Sequence, residues 1–551
     1  MQIRFFIKVS LLILLISFVP VFSHAQDSWY ADDSAPIGKV GLVWVEDVLR
    51  GNGLTNAIIP AENLICKSVD DSLCMGSKIP TQVEIILPPC STLITESCVD
   101  GFQVGRITNN LNVLTGGKLV RTIQGDTFPS SPRTSIPAGG TIGIWDVPGE
   151  NHSGGNSQYS VAARLTYLVS GNNAVFQGFQ ASVVPFRVKD SAQAMRMEMA
   201  VVTDGPNKFI VHNYHVGDCI WQEPGKCAIA VDWQKGAIAN LRLRVPNYVT
   251  GWLYGRLTNP TIDVKTFSKN QNILSIIAEP VTVQASKPLV DFNNIPKNLL
   301  DVLTDYGRNP LRNYGPYVNG GYVWQIPSDT PDFAWFTQWE PYTNQKADAL
   351  IDYWNIKSVP TYDTIENKCL KSSTNLIGLV TSNSLWYDGK APNFDGRSLN
   401  YKVASLHNNP DGTVFGGSYD LVMRSDAARC LYGFSSAPVN ATISVISESG
   451  SSRIATSVIG EKNGWLSLSA KGFTFSNPLI QVKLTQDIPK PMPTASPSAS
   501  PGKIESSPAT SSPIATNKPV VKMKTITCTK GKLIKKITSS NPICPKGYKK
   551  Q

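Results

Sequence analysis

Charge is scarce in this chain. Asp, Glu, Lys and Arg make up 17% of its 551 residues, against about a quarter in an average globular domain. Long solvated helices, which need a charged outer face, are disfavoured by that shortage. Histidine is scarcer still, with five in all, and His152, His212, His215 and His407 lie beyond the first 25 residues. Only His212 and His215 are close, in KFIVHNYHVGDC, which reads as a strand. Odd spacing on a strand sends two side chains to opposite faces. Neither a shared metal nor any cofactor is expected. The chain also lacks a Gly-x-Ser-x-Gly elbow, a phosphate-binding loop, a His-Glu-x-x-His pair and an EF-hand loop, which removes the motif-bearing enzyme classes. Glu46, Asp47, Asp146 and Asp232 are carboxylates that a fold could bring across a cleft, as a glycosidase needs. Their spacing does not bring them together, and no catalytic residue is assigned. Apart from the N-terminus, no segment could cross a bilayer.

What is abundant is turn chemistry, with 42 Gly and 38 Pro alongside 42% hydrophobic residues. That combination predicts a mainly β protein: tandem β-sandwich-like domains with a short helical insert, a disordered linker and a small disulfide-closed basic tail. Segment 26–190 alternates short apolar runs with polar loops. In it Val161, Ala163, Leu165 and Tyr167 have the period of a half-buried strand, and Gly171-Asn172-Asn173 marks a hairpin. Segment 191–290 continues in this style as a second β domain or a continuation of the first. Leu241, Leu243 and Val245 point one way there, and Arg242 and Arg244 the other. Segment 291–360 has helical spacing. KNLLDVLTDYG reads as a helix, and Pro341 divides a second stretch into two short ones. Trp335 and Trp339, four residues apart, form an aromatic stripe that either packs against a sheet or offers a glycan-binding or partner-binding surface. Segment 361–486 returns to strands, with Asn463-Gly464 as a hairpin turn and Cys430 at a strand end.

The first 25 residues have a basic start, an apolar run from Val9 to Phe22 and Ser23-His24-Ala25 before Gln26. These are the parts of a secretory signal peptide. The run, about 14 residues and broken by Pro20, is short for a membrane span, so none is expected after cleavage. Ten cysteines follow, an even number suited to an oxidising compartment. Cys66/Cys74, Cys90/Cys98 and Cys219/Cys227 share one spacing, and each could close a ring that stabilises by roughly 2.5 kcal/mol. Nearest-neighbour pairing then leaves Cys369 with Cys430 and Cys528 with Cys544.

Residues 487–520 form a Pro/Ser/Thr-rich linker without the large apolar side chains a core needs. The tail, 521–551, holds Lys522, Lys524, Lys530, Lys532, Lys535, Lys536, Lys546, Lys549 and Lys550 and no acidic residue. With those nine lysines, and Arg4 and Lys8 in the leader, the formal charge of +10 leaves a body close to neutral. TITCTK and LIKKIT flank Gly531 as two strands, giving a mini-domain of roughly 25 residues that needs its disulfide to fold. Such a patch suits an anionic cell-envelope polymer or polysaccharide. Specific nucleic-acid binding is not expected, because Tyr548 is the tail's one aromatic residue.

Thr527-Cys528, Lys530-Gly531-Lys532, Lys535-Lys536, Pro542, Cys544-Pro545 and Gly547-Tyr548-Lys549-Lys550 together resemble a C-terminal module on large secreted proteins of aquatic actinobacteria. The block ARCLYGFSSAP to GFTFS, 428–476, is similar to the last β unit of proteins from that group. The resemblance implies an extracellular or envelope location and carries no catalytic residues. The expectation is a secreted, cell-surface-associated, non-catalytic β-rich protein with a role in binding, adhesion or the envelope. An extracellular hydrolase acting on polysaccharide or protein, and a glycan-binding module, stay open as alternatives.

Overall fold

Hairpins set the local order. Strands Gln158–Ser170 and Asn173–Asp190 run antiparallel from the pair Ser170–Asn173, and Gly171 takes φ 56° in the turn between them. Val161, Ala163, Leu165 and Tyr167 are all buried, as their alternation requires. Asn463 (φ 53°) and Gly464 (φ 78°) form the two-residue turn between Thr456–Lys462 and Trp465–Thr474. Two successive left-handed residues match the twist of the flanking strands, which is why Asn-Gly is favoured there. The computed structural model describes residues 35–46, 57–59, 68–71, 80–90, 97–109, 111–123, 127–190, 199–204, 207–212, 219–305, 321–330, 332–359, 367–370, 375–435, 439–446, 452–454, 456–475, 479–486, 524–530, 533–539 and 549–550. The chain divides into two units, Met1–Ile488 and Pro489–Gln551.

The first unit is mainly β and built around a 14-stranded sheet. Its central path runs Gln158–Ser170, Asn173–Asp190, Asn355–Ser358, Gly251–Arg256, Leu376–Ser382, Gly416–Arg424 and Trp465–Thr474. A five-stranded sheet, with Ala237–Pro246 in the middle, supplies one shared core through Leu241, Leu243, Leu274 and Ile276. A six-stranded sheet, including Leu399–Ala404 and Leu479–Gln486, supplies a second through Tyr401, Val403, Ile480 and Val482. Alternate residues of the central strands serve the two cores. Leu253 and Val422 enter the first, while Trp252, Tyr254, Tyr419, Leu421 and Met423 enter the second. Burial on both faces explains why WLYG and LVM read as unbroken apolar runs.

A third core lies on a small sheet in which Lys39–Val45 pairs antiparallel with Leu289–Asp291 and parallel with Tyr322–Pro327. Helices Lys297–Asp305 and Ala334–Trp339 contact each other beside it. The sheets cross the segment boundaries expected at 190, 290 and 360. Asn355–Ser358, for example, lies between Asn173–Asp190 and Gly251–Arg256.

Three local expectations are corrected. The second half of the 333–354 stretch is not helical: Ala349–Tyr353 is a strand paired with Val281–Ala285. Its spacing mimics a helical face because Tyr353 packs with Val281 and Val283 while Trp354 turns into the main core. Cys430 lies inside helix Ser425–Tyr432, closed by Gly433 at φ 67°, and not at a strand end. Arg244 is not on a fully wet face, since its guanidinium lies 4.1 Å from the Phe267 ring centre and pairs with Asp100.

In the second unit, Lys524–Lys530 pairs with Leu533–Ser539 on one side and Lys549–Lys550 on the other, all antiparallel. The linker 487–520 lies outside the described residues. Among the described residues no helix is long and apolar enough to cross a membrane.

Candidate functional site

The most unusual chemistry in the first unit is a set of charges buried where the sheets meet. In strand Gly251–Arg256, period-2 geometry sends Trp252, Tyr254 and Arg256 to the same face. Arg256 stands opposite Asn355 and Tyr254 opposite Lys357 on the neighbouring strand. Glu46 enters from the residue after strand Lys39–Val45. Side-chain exposure is 0% for Arg256 and 2% for Glu46, and Arg256 Nε donates to Glu46 Oε2 at 2.6 Å. Its Nη1 donates to the carbonyls of Ser382 (3.0 Å) and Ser384, which ties the loop after Leu376–Ser382 to the pair. A buried charge is tolerated only when it is matched and hydrogen-bonded in this way.

Tyr254 and Tyr387 stack at 3.4 Å beside the pair, and the guanidinium lies 4.6 Å from the Tyr387 ring centre. Lys357 Nζ is 2.6 Å from Asp329 Oδ2 and 4.0 Å from Glu46 Oε1. The Tyr387 hydroxyl donates to Glu46 Oε1 at 3.5 Å. Two cations thus meet two carboxylates, and the cluster is neutral overall. Burial pushes the Tyr254, Tyr387 and Tyr401 hydroxyls well up, so they stay protonated. Burial alone would lower Arg256, but Glu46 beside it more than offsets that and holds it firmly charged.

The turn carrying Asp329 is fixed by the segment across from it. Tyr387 N donates to Ser328 O at 3.1 Å, and Trp386 Nε1 donates to Thr330 O at 3.0 Å. Gly389 lies so close that an added Cβ would sit 2.5 Å from Asp329 O and 3.0 Å from its Cβ.

A separate cleft of about 700 Å³ opens between the five-stranded sheet and the start of helix Ser425–Tyr432. Val264 and Leu274 line one wall, and Arg424, Asp426, Arg429 and Glu461 the other. Arg429 grips Glu461 with two bonds, 2.7 and 2.9 Å, and Arg424 grips Asp426 through Nε and Nη2. These hydrogen bonds hold both carboxyls below their usual range. Neither is suited to donate a proton, as the acid of a glycosidase must.

The sequence-derived residues fall as follows. Cys90–Cys98, Cys219–Cys227 and Cys369–Cys430 are disulfides. Cys66, Cys74 and Cys544 lie outside the described residues, and with them the other two pairings. Trp335 and Trp339 are 1% and 0% exposed in the third core, so they form no binding surface. Their four-residue spacing reports an apolar helix face packed against the sheet. Lys524, Lys530, Lys535, Lys536, Lys549 and Lys550 fall on the three tail strands, while Lys522, Lys532 and Lys546 lie outside the described residues. His215 also lies outside them, and His407 is a half-buried partner of Gln345, 2.8 Å from Nδ1. Asp146 accepts from Ser157 at 2.6 Å, and Asp232 is pushed up by burial and then by Asp352. Asp47 is outside the described residues. Glu46 meets the Arg256 guanidinium.

Sequence reasoning found Glu46 but missed Arg256, Lys357 and Asp329. The available signal was charge at a core parity: Arg256 keeps step with Trp252 and Tyr254, which both point inward. Among the described residues no group of three or more His, Cys, Asp or Glu side chains could hold a metal ion. In comparisons with known proteins, no family model and no curated sequence matches this chain.

Proposed function

We propose that this is a secreted, cell-surface-associated, non-catalytic β protein whose basic tail contacts an anionic envelope polymer or polysaccharide. The observation that carries the reading is the gathering of tail lysines on one small sheet. Strand register sets Cys528 between Lys535 and Lys550, and Thr529 beside Lys549. Lys549 and Lys550 are exposed, and no acidic residue lies anywhere in 521–551. A concentrated positive patch attracts a polyanion over about one Debye length, roughly 8–10 Å at physiological salt. The disulfides of the body support an oxidising compartment. The arginine-gripped carboxylates of the cleft support a non-catalytic body.

The test is a reporter fused to residues 487–551 and mixed with cells or isolated envelope. Retention at low salt with release at high salt is the expected result, and a tail with every lysine changed to glutamine should stay in the medium. Equal retention of the glutamine tail, or none of the native one, overturns the reading.

A further inference from the structure

We propose that Lys357 and Asp329 are joined by an intramolecular amide bond, formed within the folded chain with Glu46 as the proton carrier. This inference rests on the buried cluster alone and is independent of where the protein acts. Three observations carry it. The lysine nitrogen is 2.6 Å from Asp329 Oδ2, which puts the carboxyl carbon one bond farther, near the roughly 3–3.5 Å of a near-attack arrangement. A second carboxylate, Glu46, lies 4.0 Å from the same nitrogen. The backbones that carry the two groups are held in place: Lys357 lies in a strand paired on both edges, and Gly389 abuts Asp329.

The step balances without any oxidant or co-reactant. The Lys357 ammonium passes one proton to Asp329, giving a neutral amine beside a carboxylic acid. The amine lone pair attacks Cγ, and the Nζ–Cγ bond forms. Glu46 takes a second proton from nitrogen and returns it to the departing hydroxyl as the Cγ–O bond breaks. One water leaves and the amide remains. Arg256 and Tyr387 supply the bonds that keep Glu46 aimed. The side chains of Lys357 and Asp329 are 15% and 22% exposed, which gives the water a way out.

The bond would link the turn after strand Tyr322–Pro327 to strand Asn355–Ser358 in the middle of the large sheet.

Peptide mapping of the full, reduced and alkylated protein tests this. Trypsin does not cut after an acylated lysine, so the expected product is a branched species. It joins 313–346 to an uncut 347–368, lighter than the two together by one water. Lys357→Arg keeps the charge but should give only linear peptides, as should Asp329→Ala. Glu46→Gln should lower the branched fraction, and an unchanged fraction overturns the role given to Glu46. A native digest with 313–346 and a separate 347–357 at full mass shows an ion pair only and overturns the bond.

Discussion

Removing both members of the buried Glu46–Arg256 pair should cost less than the two single losses added together. The perturbation is a cycle of Glu46→Gln, Arg256→Met and the double change, all in a Lys357→Arg background so that no amide bond contributes. Removing one member of a fully buried pair typically costs about 3–5 kcal/mol, because the other is left charged in a dry site. Arg256→Met should lie at the upper end. Methionine keeps the apolar stem but releases the Ser382 and Ser384 carbonyls as well as Glu46, and an orphaned buried acceptor costs about 1–3 kcal/mol. Glu46→Gln should lie at the lower end, because the amide oxygen can still accept from Nε. In the double variant neither charge is stranded. Its loss should fall short of the summed single losses by about 2–3 kcal/mol, the range of coupling found for residues in contact.

Denaturant unfolding followed by tryptophan fluorescence reads these differences. Trp252, Trp354 and Trp386 are all buried in the surrounding cores and report loss of packing there. Single losses below about 1 kcal/mol would refute the reasoning, since surface-like values of that size mean the pair is solvated. So would a double loss equal to the sum, which would mean that the two side chains act independently.

Two other perturbations read different parts of the body. His152 is 5% exposed, with Nδ1 accepting from Gly154 N and Nε2 donating to Gln158 O, and burial lowers its pKa from 6.5. A depressed folded-state value means its stabilisation is present above pH 6.5 and lost as pH falls through the folded value. His152→Gln should therefore flatten the fall in Tm on mild acidification, and an unchanged slope refutes the assignment. Among the disulfides, Cys369–Cys430 spans 61 residues and Cys219–Cys227 spans 8. On the chain-entropy estimate their paired Ser variants should lose about 4 and about 2.5 kcal/mol respectively. Equal losses in denaturant unfolding would show that loop length does not set the difference.

Local features were legible because their causes are local. Asn463-Gly464 takes two positive φ values that few other dipeptides adopt cheaply. Val161 to Tyr167 keeps period 2 because one side of that strand faces the main core. The 347–354 stretch failed for the opposite reason. Its apolar spacing is compatible with a helix or with a strand, and only the partner strand Val281–Ala285 decides. The same limit hid the charged cluster. Glu46 and Arg256 are 210 residues apart, and the strands that carry them to each other belong to different sheets. No window of sequence contains those contacts.

The way charge is matched in the body bears directly on what the tail must do. Arg164 pairs with Glu84, Arg242 and Arg244 with Asp100, Arg429 with Glu461, and Arg256 and Lys357 with Glu46 and Asp329. Cations committed to neighbouring carboxylates project little field beyond a Debye length. The tail lysines have no carboxylate within their own segment to answer them. On the proposed reading, removing 487–551 should abolish salt-sensitive retention on envelope, and retention that survives the truncation would refute it.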